Sequence, residues 1–172
     1  MFWERQQHST WKGLVAGAIG GAVASFAMNQ FQAGMSKLFE KPASKEQRSG
    51  SEEPATVQAA VAVSETVFDH HLAPAEKEWA GELVHYSYGT AVGALYGAAA
   101  EHWEDVRMGE GAVFGAALWA LSDEVAVPAF RLSKGPLEYP LRAHAMALAS
   151  HVVYSVTTEL ARRFLRSGVV SR

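Results

Sequence analysis

Charged residues are missing from four long stretches of this chain, and any fold proposed for it has to accommodate them. Gly13–Phe31 (GLVAGAIGGAVASFAMNQF) and Leu83–Ala100 (LVHYSYGTAVGALYGAAA) carry none, Gly111–Phe130 carries only Asp123 and Glu124, and Ala143–Thr158 (AHAMALASHVVYSVTT) again carries none. A helix needs about 20 mainly apolar residues to cross the roughly 30 Å hydrocarbon core of a bilayer. Three stretches fall at or just under that length, and the fourth reaches it with its Leu141–Leu165 flanks. Buried helices of a water-soluble bundle also lack charge, and the mean hydropathy of −0.03 is low for a membrane protein, because Ala and Gly replace Leu and Ile.

Two patterns favour lipid. Small residues recur every fourth position: Gly13, Gly17 and Gly21 in the first stretch, Gly89, Gly93 and Gly97 in the second, Gly111 and Gly115 in the third. Glycine inside a helix in water costs about 1 kcal/mol against alanine, whereas in lipid such ridges let helix backbones approach closely. Trp11, Trp79 and Trp103 lie at or near the ends of stretches, where interfacial aromatic residues belong. The expectation is an all-α fold: a four-helix transmembrane bundle with spans at about 12–31, 82–101, 110–130 and 141–163.

The breaks between stretches agree with helices. Pro74 followed by Glu76 and Glu78 reads as a helical first turn, so the second helix is expected to start outside the membrane, at about Pro74. Gly109 and Gly111 precede the third helix, and Gly135-Pro136 with Pro140 precedes the fourth. Arg162, Arg163 and Arg166 close the fourth helix, suited to its negative dipole end and to phospholipid head groups. The long first connection reads as a flexible polar linker at 42–54 followed by an amphipathic surface helix at 55–69. Met1–Lys12 and the apolar run after it read as a retained first span rather than a cleaved signal peptide. Basic residues divide seven to eight between the two faces; the Arg162–Arg166 cluster favours cytoplasmic termini.

Ionisable groups inside a span cost roughly 2.5–3.5 kcal/mol on insertion scales and call for a partner or a role. Alternation of helix direction puts Asn29, His85, Tyr86, Asp123, Glu124, His144 and His151 in one leaflet. One reading makes this a proton relay, with the two acids and three neutral imidazoles exchanging protons near neutral pH. The other makes it an interhelical hydrogen-bond cluster that fixes the packing of four bland helices. Asp123 and Glu124 are adjacent, about 100° apart on an α-helix, so only one is expected to face the interior. In the opposite leaflet Glu159 is expected to pair with Arg162 or Arg163 of its own helix.

Several functions are excluded or disfavoured. A formal charge of −3 disfavours nucleic-acid binding, and the absence of cysteine removes disulfides, thiolate zinc sites and cysteine nucleophiles. Glu82 and His85 form one Glu-x-x-His pair, but a di-iron bundle needs two such pairs and two further glutamates. His144 and His151 are two turns apart, about 10 Å, too far for one metal. His70 and His71 lie in the long connection, and no nucleophile elbow, P-loop or Rossmann pattern occurs. No metal, cofactor or enzymatic activity is expected.

The segments Gly13–Gln32, His85–Glu101, Gly115–Phe130, Leu132–Ala145 and His151–Arg163 resemble the YagU-like family of small bacterial inner-membrane proteins, domain of unknown function 1440. The likeness covers most of the chain except 42–54. It implies a multi-pass inner-membrane protein with no defined catalytic residues, for which a link to acid tolerance has been suggested. The expected roles are proton or small-solute handling or envelope stress tolerance at the membrane, or an accessory subunit of a larger membrane complex. The expected partners are the lipid bilayer and other membrane subunits or a second copy of the chain. A water-soluble helical bundle holding a metal or ligand is the alternative of a different class.

Overall fold

The computed structural model describes residues 9–39 and 53–169, which contain helices and no strand. The expected linker at 42–54 lies outside the described residues apart from Glu53 and Pro54. Five helices follow in order: α1 (Thr10–Phe39), α2 (Ala55–Phe68), α3 (Pro74–Ala100), α4 (Ala112–Leu121, continued by a π turn at Ser122–Ala126 and a last turn at Val127–Ala129) and α5 (Leu141–Val169).

Local chemistry sets the helix ends. Asp69, in the left-handed region, ends α2; the His70 N–H bonds Ser64 O at 3.2 Å, and the Ser64 hydroxyl donates to His70 O at 2.7 Å. Pro74 opens α3, and the Glu76 carboxylate accepts the Ala73 N–H at 2.8 Å. Before α4, Gly109, Glu110 and Gly111 are all left-handed, with φ of 62°, 58° and 88°. At its far end Arg131 occupies the left-handed position of a Schellman motif, with Arg131 N–H to Pro128 O and Leu132 N–H to Val127 O, both 2.9 Å.

α1 is the centre of the packing, antiparallel to α3 on one side and to α5 on another, with α4 laid against α5. The glycine ridges of α1 and α3 face each other. A Cβ at Gly17 would lie 2.8 Å from the Gly97 Cα, and one at Gly93 would lie 2.6 Å from the Gly21 Cα, so the two backbones touch. Gly115 of α4 meets Ser155 and the His151 carbonyl, while Gly111 belongs to the turn before α4 and packs on Ser155 O and the Tyr96 hydroxyl. Ala24, Met28 and Tyr154 form a small apolar core with Val92 and Leu118.

Beside a small apolar core, several polar side chains are buried and many large apolar ones are exposed. Ser25, Ser150, Ser155, Thr158, Glu159 and Arg162 are buried, whereas Ile19, Val23, Phe26, Leu83, Leu95, Leu121, Val125 and Phe164 are exposed. Two helices are long and apolar enough to cross a membrane, Thr10–Leu38 and Ala112–Ala129; in the second Gly115 is the one fully buried residue and most others are half-buried. α3 and α5 fall short of that composition, because Gly, Ser, Tyr and His fill their charge-free stretches and charged turns flank them.

Candidate functional site

The antiparallel packing gathers the start of α1, the end of α3, the start of α4 and the end of α5 at one end of the molecule; the α1 C-terminus, the α4 C-terminus and the α5 N-terminus share the other. Polar side chains concentrate at both ends.

At the α5 N-terminal end, the two acids of α4 meet two histidines of α5. Glu124 Oε1 lies 2.5 Å from His144 Nδ1, whose other nitrogen reaches the Pro136 carbonyl at 3.0 Å. Asp123 Oδ2 lies 3.8 Å from His151 Nδ1, which also bonds the Ala147 carbonyl at 2.9 Å. The helix around the acids is π rather than α, and this answers the expectation that only one of them faces inward. The Val127 N–H donates to Ser122 O, five residues back, and the Ser122 hydroxyl donates to Leu118 O at 2.5 Å. A π turn carries more residues per turn, so neighbouring residues diverge less and both acids reach α5. Pro128, with no N–H to offer, follows directly. The Trp119 ring stands edge-on to His144, centroids 6.5 Å apart, and its indole N–H is buried without a partner among the described residues.

The structure does not bring every expected member to that place. His85 faces α1, with Nε2 3.4 Å from the Ser25 carbonyl, and its ring stands edge-on to Tyr86 at 5.6 Å. Asn29 and Tyr86 are half-buried, and Glu82 is exposed. Among the described residues no group of three or more His, Asp or Glu is arranged to hold a metal ion.

The opposite end holds the Glu159 pairing expected with Arg162 and Arg163, within a wider network whose links to Glu101, Glu110 and Tyr96 sequence reading missed. One guanidinium–carboxylate fork ties the end of α3 to α5, and a second lies within α5. Arg166 donates Nε and Nη2 to the two oxygens of Glu101, both at 2.8 Å. Arg162 donates Nε and Nη2 to Glu159 at 2.7 and 2.9 Å, and reaches Glu101 at 3.3 Å. Arg163 adds 2.6 Å to Glu159 and meets Glu110, while the Tyr96 hydroxyl donates to Glu159 at 3.0 Å. The Ser9 N–H, at the start of α1, donates to Glu101 at 3.3 Å. Three carboxylates thus face three guanidiniums around a Glu159 with no solvent exposure. Arg162 is 4% exposed, so it faces inward rather than toward head groups, as the end of α5 had been expected to do. The Glu159–Arg162 contact follows i,i+3 spacing; the links to Glu101, more than 60 residues away, do not.

The two ends differ in chemistry. Bidentate arginine forks hold fixed charges in a fixed geometry, and every oxygen of Glu159 is occupied. Imidazole–carboxylate pairs can exchange a proton between partners near neutral pH. The arginine end is built as a clamp, and the α4–α5 end carries imidazole–carboxylate pairs.

A family model described as a protein of unknown function (DUF1440) matches residues 34–160, from the last turns of α1 through α2, α3 and α4 into α5. No curated protein and no solved structure matches the chain.

Proposed function

The chain belongs to the DUF1440 family, and from that premise we propose that it is a multi-pass bacterial inner-membrane protein, not an enzyme, which handles protons or small solutes through the α4–α5 acid–histidine pairs. α1, α3, α4 and α5 cross the bilayer, α2 lies at its surface, and both termini face the cytoplasm. The observation that supports this reading is the distribution of polarity: an apolar α4 in which Gly115 alone is fully buried beside a Glu159 with no exposure. In water the first would leave an apolar face unpartnered and the second would gain little from burial. In lipid both are the expected arrangement.

Carbonate-washed membrane fractionation tests the location, with reporter fusions at each terminus for topology. Retention in the washed membrane is expected, and release into the soluble fraction overturns it. Proteoliposomes test the activity. Wild type is expected to move protons or a small solute, and Asp123→Asn with Glu124→Gln to abolish that movement while the protein stays folded. If wild type moves nothing, the pairs are packing contacts. The exposed face of α4 then favours the second reading, an accessory subunit docked on a larger membrane complex, which a stoichiometric partner in mild-detergent purification would support.

A further inference from the structure

Between α2 and the turn joining α4 to α5 lies an open groove of about 560 Å³, lined by Glu53, Val61 and Glu65 on one side and by Phe130, Arg131 and Leu132 on the other. Its lining has the layout of an amphiphile with two charges. Arg131 stands on the α4 side, and among the described residues no carboxylate lies within ion-pair distance of it. Glu53 and Glu65 stand opposite. Glu53 has one oxygen on Lys77 and Glu65 has one on His71, each at 2.8 Å, and each keeps a second oxygen able to accept from an ammonium. Val61, Phe130 and Leu132 supply apolar surface between the charges, and Phe130 is 76% exposed.

The backbone gives a second, independent observation. Arg131 sits at the left-handed position of the Schellman motif that ends α4, with φ of 57°. That position normally belongs to glycine, and a residue with a side chain there carries strain. The turn itself would be easier with glycine, so the presence of a side chain at Arg131 asks for an explanation.

We propose that this groove holds the head group of a zwitterionic aminophospholipid of the bilayer, its phosphate on Arg131, its primary ammonium on Glu53 and Glu65, and its glycerol end on Phe130 and Leu132. The inference rests on the membrane reading, which places the groove where the apolar surface of α4 ends. An open groove suits a head group that stays partly hydrated. Three donors on a primary ammonium match carboxylate oxygens, whereas a quaternary ammonium offers none. An anionic lipid would meet Arg131 but be repelled by the two glutamates.

Full-length protein in detergent, titrated with short-chain phosphatidylethanolamine, phosphatidylcholine and phosphatidylglycerol and read by native mass spectrometry, tests this. Phosphatidylethanolamine is expected to be retained about tenfold better than the other two, the scale of one charge-assisted hydrogen bond. E65Q is expected to remove that preference, and R131G, which suits the left-handed turn, to weaken retention of all three lipids, neither lowering the melting temperature. Equal retention of the three lipids, an E65Q protein that still prefers phosphatidylethanolamine, or an R131G protein that retains the lipids as well as wild type, overturns the site. Soluble glycerophosphoethanolamine binding as tightly as the lipid overturns the lipid as occupant. The membrane reading fails separately, by release of the protein from carbonate-washed membranes.

Discussion

Gly93 and Gly34 illustrate how differently one residue type is constrained along this chain. A methyl group on Gly93 would lie 2.6 Å from the Gly21 Cα, with no flexible side chain to yield, while one on Gly34 meets nothing within 4 Å among the described residues. Gly93→Ala therefore has to separate α1 from α3, at a cost on the order of 1–3 kcal/mol for overpacking. Gly34→Ala is expected to be neutral or to gain up to about 1 kcal/mol from helix propensity. Thermal unfolding followed by circular dichroism in detergent micelles reads the difference; equal melting temperatures for the two variants would contradict the close approach. Glu159 is constrained by charge rather than by volume. Removing its carboxylate leaves Arg162 buried and without its fork, so Glu159→Gln should cost about 3–5 kcal/mol. Replacing Glu159 and Arg162 together by Met and Leu should recover much of that loss, because the penalty comes from the unpaired charge.

Helices expose their periodicity in sequence, and their partners much less. The glycine ridges were legible because four-residue spacing along one helix is a linear pattern. So was the all-α character, since charge-free stretches ended at Gly and Pro. The clamp was not legible. Nothing local links Glu101 to Arg162 or Arg166, because the register between α3 and α5 is fixed by packing both against α1. A basic cluster at a helix end reads first as a dipole and head-group feature; the useful signal was that Glu101, like Glu159, borders a charge-free stretch. The π turn was equally hidden, since it depends on the Ser122 hydroxyl and on Pro128 rather than on hydrophobic period. Its consequence is testable by double-mutant cycles on unfolding in detergent. Glu124→Gln with His144→Gln, partners 2.5 Å apart, is expected to show a coupling of about 1–3 kcal/mol. Asp123→Asn with His151→Gln, at 3.8 Å, is expected to show less. A larger coupling for the second pair would mean that the π turn aims the acids differently.

At the scale of the whole molecule, one substitution separates water from lipid by the sign of its effect. Leu121 lies within the apolar Ala112–Ala129 helix and is 67% exposed, away from the α4–α5 contacts made by Gly115, Asp123 and Glu124. On a protein surrounded by water, Leu121→Lys would trade an exposed apolar side chain for a charged one. Stability would change by no more than about 0.5 kcal/mol, and solubility would rise. With hydrocarbon around α4, the same lysine sits near the middle of a span, where a charge costs roughly 2.5–3.5 kcal/mol on insertion scales. The variant should then insert poorly and be recovered from washed membranes in much lower yield. Lys134, in the turn after α4, supplies the matched control: Lys134→Leu should leave membrane recovery unchanged, because that turn lies beyond the apolar stretch. Quantitative blotting of washed membranes and soluble extract for the three proteins decides the matter, and normal membrane recovery of Leu121→Lys would remove lipid from the surroundings of α4.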